Sequence, residues 1–111
     1  AEVCVRINRP LDLAVRDIEA AVMPGVAALM LPKLMGPEHV RLLSEAVAAR
    51  EAAVGIEPGR TRFIGLVETP QALPRLAEIA AADPRMAALG VGSEDLSMEL
   101  EATPGADLLY H

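Results

Sequence analysis

Aromatic residues are almost missing from this chain: it has no tryptophan, one phenylalanine and one tyrosine in 111 residues. Yet 52% of the residues are apolar, so a core has to be built from Leu, Val, Ile, Ala and Met. Cysteine is scarcer than a cross-link requires. The lone Cys4 excludes an internal disulfide, fits a reducing compartment, and is expected to be a small buried residue. Cations are outnumbered, with 10 Lys and Arg against 16 Asp and Glu and a net charge of −6. That balance argues against a nucleic-acid surface, which needs concentrated Lys and Arg. The acids are scattered rather than blocked, as solvated helix faces have them. No apolar run reaches the roughly 18 residues of a membrane span, and no charged-then-apolar signal opens the chain. Low-complexity tracts and Ser/Gly linkers are also absent. The length suits one small domain and is too short for two. The expectation is a soluble cytoplasmic protein with no membrane or nucleic-acid partner.

What is present is organised around Phe63–Leu96. The apolar run Phe63-Ile64-Gly65-Leu66-Val67 stops at Glu68. A helical pattern follows, with Leu73, Leu76, Ile79 and Ala80 on one face. A second apolar run, Met86 to Val91, leads through Gly92 to Glu94 and Asp95. Short continuous apolar runs separated by a helix read as buried parallel strands joined by a right-handed crossover. Two such neighbours put Glu68 and Asp95 at the C-terminal edge of one sheet, where converging carboxylates suit a hard divalent cation such as Mg2+.

The rest of the chain repeats the same unit. Val3 to Asn8 reads as the first strand, ended by Pro10, with Asp12 as N-cap of a helix over Leu13 to Val22. Pro24-Gly25 turns into a second strand, Val26 to Leu31, closed by Pro32-Lys33. Gly36-Pro37-Glu38 starts the longest helix, running to about Val54 with Val40, Leu43 and Val47 inward; Gly55 and Pro58-Gly59 break it. The helix after Glu68 is expected to run to about Ala82, and Asp83-Pro84 turns into the fourth strand. Beyond Asp95, Leu96 to Leu100 reads as a short helix, Thr103-Pro104-Gly105 as a loop, and Leu108 to His111 as the start of another element.

This α/β alternation fits either a doubly wound sheet or part of a (β/α)8 barrel. The turn after the first strand, Arg9-Pro10-Leu11-Asp12, lacks the glycine of a phosphate-binding turn. Gly90-Val91-Gly92 is not a dinucleotide fingerprint, since neither a third glycine nor a helix start follows. All four strands instead end in polar residues: Arg6 and Asn8, Lys33, Glu68 and Thr69, then Ser93, Glu94 and Asp95. Chemistry spread over successive strand ends is the habit of the barrel. A complete barrel takes about 250 residues, so the expectation is that residues 1–111 form a single partial TIM-barrel domain of four βα units.

At this point the motifs Val5-Arg6-Ile7-Asn8, Leu31-Pro32-Lys33, Leu66-Val67-Glu68-Thr69, Glu78-Ile79-Ala80-Ala81-Ala82-Asp83-Pro84-Arg85 and Gly92-Ser93-Glu94-Asp95-Leu96 stand in register. Together they resemble the HpcH/HpaI aldolase / citrate lyase β-subunit family over nearly the whole chain. The resemblance implies a TIM barrel of which this chain is a central segment, strands three to six. It implies Mg2+ held by Glu68 and Asp95, and substrate contact by Arg6 as the catalytic cation. The citrate lyase β-like branch further implies cleavage, or thioester hydrolysis, of a 3-hydroxyacyl-CoA compound of the citryl, malyl or citramalyl type, with a 2-oxo acid product. A homo-oligomer is implied for a full-length relative. An aldolase of free 4-hydroxy-2-oxo acids, or a non-catalytic piece of a barrel, are the other readings. After Glu94-Asp95-Leu96, where the family carries an acid, Leu and Gly, this chain has Glu99-Leu100-Glu101.

Each residue also has a plainer role open to it. An acid at a strand end is often only solvated. For Arg6 the plainer role is that of an ion-pair partner in the barrel mouth. Lys33 binds an anionic substrate, together with Glu68, or pairs with an acid. Glu94 points away from Asp95, because neighbouring strand residues alternate.

Overall fold

The computed structural model describes residues 3–91 and 99–101. Four strands, β1 (Val3–Arg6), β2 (Val26–Leu31), β3 (Arg62–Val67) and β4 (Met86–Val91), lie side by side in chain order, all parallel. Helices α1 (Leu11–Ala21), α2 (Pro37–Val54) and α3 (Leu76–Ala80) make the crossovers. The strand β5 (Glu99–Glu101) pairs antiparallel with β4.

Strand order bears on the choice between the two architectures. A doubly wound sheet reverses its order so that helices cover both faces. Here the order never reverses, so right-handed crossovers place every helix on one face. The core shows the same asymmetry. Leu29, Leu31, Phe63, Val67 and Leu89 are buried on the sheet against Ala14 and Ile18 of α1, Val40, Leu43 and Val47 of α2, and Ile79 and Ala80 of α3. Register keeps the layer continuous: Leu29 lies beside Phe63, and Leu31 beside Gly65. Gly65 leaves room for this layer. A Cβ there would come within 2.6 Å of Leu34 and 2.9 Å of Met86. The opposite face carries Arg6, Met30, Ile64 and Ala88 in one row. A singly wound parallel sheet with helices on one side is consistent with a partial barrel, whose interior would be that second face.

The helix ends follow their local chemistry. In α2, Pro37 occupies the first turn, where its missing N–H costs nothing, and Gly55 ends the helix at φ 76°. The α1 boundary differs from expectation. Pro10 takes the N-cap position, and its carbonyl accepts from the Ala14 N–H at 2.8 Å, so Asp12 falls inside the first turn and caps nothing. There its charge still meets the positive end of the helix dipole. The third helix is shorter than its sequence pattern. Pro74 sits in a 3₁₀ turn, Leu73–Arg75, and only five residues of α-helix follow, which leaves Leu73 exposed while Ile79 and Ala80 remain buried. Cys4 is exposed rather than buried, because it lies on an edge strand and away from the helices. Glu99 and Leu100, expected to be helical, belong to β5 instead, since the open side of β4 offers unpaired backbone groups. Among the described residues, no helix is long and apolar enough to cross a membrane.

Candidate active site at the C-terminal edge of the sheet

Because the strands are parallel and in order, the residues after Arg6, Leu31 and Val67 all emerge at one edge. Val67 is fully buried on the helix side, so alternation turns Glu68 to the other face, the one that also carries Arg6. Glu68 is half-buried. Its Oε2 accepts a hydrogen bond from the Lys33 backbone N–H at 2.9 Å. Two further contacts join the same loops: the Leu34 N–H donates to the Leu66 carbonyl at 2.8 Å, and the Thr69 hydroxyl meets Met35 Sδ at 3.8 Å. Glu68 thus stands on a strand end that is stitched to its neighbour on both sides.

Of the residues singled out in the sequence, Glu68 and Lys33 are brought together, but through the lysine's amide. The Lys33 side chain is exposed and makes no hydrogen bond or ion pair among the described residues. Arg6 is level with Met30 and Ile64, four residues short of Glu68 along the strand direction and two strands away. It is exposed and lines a cleft of about 370 Å³ beside the edge of β1 that is unpaired among the described residues, with Val5, Asn8, Asp17 and Met23 among its neighbours. Asn8 continues that edge by donating to Asp17 Oδ2 from both its backbone and its amide nitrogen, each at 2.8 Å. Asp95, with Gly92, Ser93 and Glu94, lies outside the described residues. So do the expected loop at Thr103-Pro104-Gly105 and the element from Leu108. Among the described residues, no three of His, Cys, Asp and Glu converge on a common point.

Rim charges at this edge are partly neutralised. Arg75 bridges Glu38 at 2.9 Å and Glu78 at 3.4 Å, and its hydrogen bond holds the Glu38 carboxyl below its ordinary range. The bridge lies over Gly36, where a Cβ would press on the Arg75 guanidinium and the Glu38 carboxylate and shift them from their present positions. Beside it, His39 is kept below the usual imidazole range, first by burial and then by Arg9, and its Nδ1 is buried with no hydrogen-bond partner among the described residues.

The opposite edge holds an ion pair that sequence reasoning missed. Arg85 clasps Glu51 in a bidentate pair, at 2.6 and 2.8 Å, and also donates to the Thr61 carbonyl at 3.0 Å and to Ser44 Oγ at 3.1 Å. Glu51 in turn accepts from the Thr61 and Gly59 N–H groups at 2.9 and 3.1 Å. Both side chains are buried, and Arg85 lies 6.0 Å from the Phe63 ring centre. The available signal was positional. Glu51 extends the stripe Val40, Leu43, Val47 at helical spacing, so a charge falls on the buried face of α2.

This pair sets a pH dependence. Burial pushes the Glu51 carboxyl up, but the Arg85 guanidinium and the Thr61 and Gly59 N–H groups outweigh it and hold the pKa at about 2, against 4.5 for a free glutamate. A lowered folded-state pKa adds stability above the unfolded value, and that stability is lost as pH falls through the folded value. Chemical denaturation between pH 6 and pH 2 is therefore expected to show a loss of about 3 kcal/mol from this group, beginning near pH 4.5. A flat profile across that window would contradict it.

The geometry has a counterpart in known sequences. The sequence model of HpcH/HpaI aldolase/citrate lyase matches residues 1–109. The chain belongs to the HpcH/HpaI aldolase/citrate lyase family. It is 33% identical to the citrate lyase subunit beta of Escherichia coli K12 over 113 residues, which is 98% of this chain and 37% of that protein. The citrate lyase subunit beta of Haemophilus influenzae is 31% identical over 98% of the chain. A malyl-CoA/beta-methylmalyl-CoA/citramalyl-CoA lyase of Chloroflexus aurantiacus is 34% identical over 82% of the chain and 26% of its own length. The chain therefore spans somewhat over a third of the citrate lyase β subunits and about a quarter of the Chloroflexus protein, relatives that are lyases.

Proposed function

We propose that this chain supplies strands three to six of a (β/α)8 barrel that cleaves a carbon–carbon bond in a CoA thioester of the citryl, malyl or citramalyl type, with Mg2+ as cofactor. The observation that carries the reading is the position of Glu68. It is an acid at the C-terminal end of a barrel-type strand, on the face away from the helices, with its carboxylate already oriented by a backbone amide at 2.9 Å. Similarity to citrate lyase β subunits and to a malyl-CoA/citramalyl-CoA lyase supports the substrate class. The edge of β1, unpaired among the described residues and flanked by a cleft, supports the pairing of another barrel strand there.

The residues fit the cofactor in kind. A hard cation takes carboxylate oxygens. Glu68 presents one whose only hydrogen bond among the described residues leaves Oε1 unengaged, and Asp95, after the next strand, is the proposed second ligand. When bound, the cation supplies Lewis-acid stabilisation of a substrate oxygen. In the reaction the substrate hydroxyl loses its proton and becomes a carbonyl as the bond beside it breaks. The electron pair leaves on the thioester fragment as an enolate, which is then protonated. Arg6, a permanent cation on the same face, binds an anionic group and offsets charge developing on the departing fragment. Lys33 is placed to attract an anionic substrate from the exposed rim.

The test is an assay of the full-length protein against citryl-, malyl- and citramalyl-CoA, with and without Mg2+. Metal-dependent release of a 2-oxo acid or acyl-CoA product from one of them is expected. No turnover of any would refute the proposal, and metal-dependent condensation of pyruvate with an aldehyde would replace it by the free 2-oxo acid aldolase.

A further inference from the structure

Lys33 is the only non-glycine residue at positive φ, 51°, among the described residues. Left-handed backbone is unfavourable for a lysine and persists only where the surroundings enforce it. The enforcement is visible. Pro32 on one side and Leu34 on the other are both buried, Leu34 completely. The Leu34 N–H is held by the Leu66 carbonyl at 2.8 Å. Between them the chain has to turn so that the Lys33 N–H faces β3, and there it meets Glu68 Oε2 at 2.9 Å. The ammonium group takes no part in this; the side chain is exposed.

We infer that Lys33 is a positioning residue for Glu68, acting through its left-handed backbone amide, which fixes the carboxylate plane and leaves Oε1 directed to a divalent cation. The inference rests on the reading of Glu68 as a metal-binding carboxylate, and it deepens that reading by saying what orients it. A free glutamate side chain has several rotamers, and each ordered torsion has an entropic cost. The amide performs that ordering during folding, before any cation arrives. The identity of the side chain at position 33 is then secondary for metal binding, whereas the backbone conformation is essential. Glycine, which enters this region without strain, serves as well as lysine; a β-branched residue does not.

The experiment uses the full-length protein and Mn2+ as a paramagnetic probe, read by loss of the free-ion resonance. Lys33→Gly is expected to bind Mn2+ within about twofold of the native protein, Lys33→Ile about tenfold more weakly, and Glu68→Gln more weakly still. In metal-free protein, hydrogen exchange at amide 33 reads the bond directly, even if Lys33→Ile fails to fold. Adding Glu68→Ala to Lys33→Gly is expected to speed that exchange at least tenfold. A tenfold loss of Mn2+ affinity in Lys33→Gly, beside a larger loss in Glu68→Gln, would overturn this inference alone. So would exchange at amide 33 that ignores Glu68→Ala. Native binding by Glu68→Gln would remove the metal reading itself, and the inference with it.

Discussion

Arg85→Met is expected to lower the stability of the protein by about 3–5 kcal/mol, because it leaves a buried carboxylate without its counter-ion. Glu51 is fully buried and Arg85 nearly so, and neither can reach water without opening the packing between α2 and the starts of β3 and β4. The double variant Glu51→Leu/Arg85→Met should recover part of this loss, since it removes the stranded charge. It should not recover all of it. The Thr61 N–H, which donates to Glu51 at 2.9 Å in a buried position, would be left unpaired at a cost of about 1–3 kcal/mol. The acid profile provides an independent reading. In Arg85→Met nothing offsets burial as Arg85 did, so the Glu51 pKa rises, and the fall in stability between pH 4.5 and pH 2 should shrink or vanish. Urea unfolding of the three proteins at pH 7 and pH 3 checks all of this. A single variant within 1 kcal/mol of native would show that the pair contributes far less than its geometry demands. The pair sits at the N-terminal ends of the strands, the edge that in barrels serves stability. Below its lowered unfolding midpoint, Arg85→Met should keep its metal affinity.

The second large effect is on catalysis. Glu68→Gln keeps the size of the side chain and an oxygen able to accept from the Lys33 N–H, but removes the negative charge. The fold should survive, with an unfolding midpoint close to native. In the proposed reaction, turnover of the CoA thioester should fall by about 10²-fold or more, since a cation bound by a carboxylate supplies several kcal/mol of transition-state stabilisation and each 1.36 kcal/mol is a factor of ten. Most of the loss should be in kcat. Steady-state kinetics at saturating Mg2+ make the comparison, and a variant within threefold of native would exclude Glu68 from the chemistry.

The physical reasons for what the sequence showed, and did not, are specific. Val26–Leu31 and Met86–Val91 were legible at both ends because each apolar run is bounded by residues that stop a strand: Pro24-Gly25 and Pro32 for the first, Asp83-Pro84 and Gly92 for the second. The span of α2 was legible for the same reason, with proline at its start and glycine at its end. The start of α1 was not, because an aspartate two residues beyond a proline looks like a cap, and only the backbone decides which carbonyl closes the first turn. In the third crossover the apolar spacing at Leu73, Leu76 and Ile79 is helical, but Pro74 withholds an N–H and the first turn tightens. As to the site, the acid at the end of β3 was visible as the residue that halts an apolar run. Its partner was not. A hydrogen bond from the Lys33 amide depends on a backbone angle that no side-chain pattern encodes, and a lysine at that position draws attention to its charge instead.

The sharpest test of the account is calorimetric titration of Mg2+ with oxaloacetate into the native protein, Glu68→Gln and Asp95→Asn. Two carboxylates alone bind Mg2+ weakly, since the ion sheds water reluctantly and gains its further ligands from substrate, so binding should be strong only when the 2-oxo acid is present. The account predicts saturable binding by the native protein and a loss of at least tenfold in each variant; equal binding by all three would contradict it.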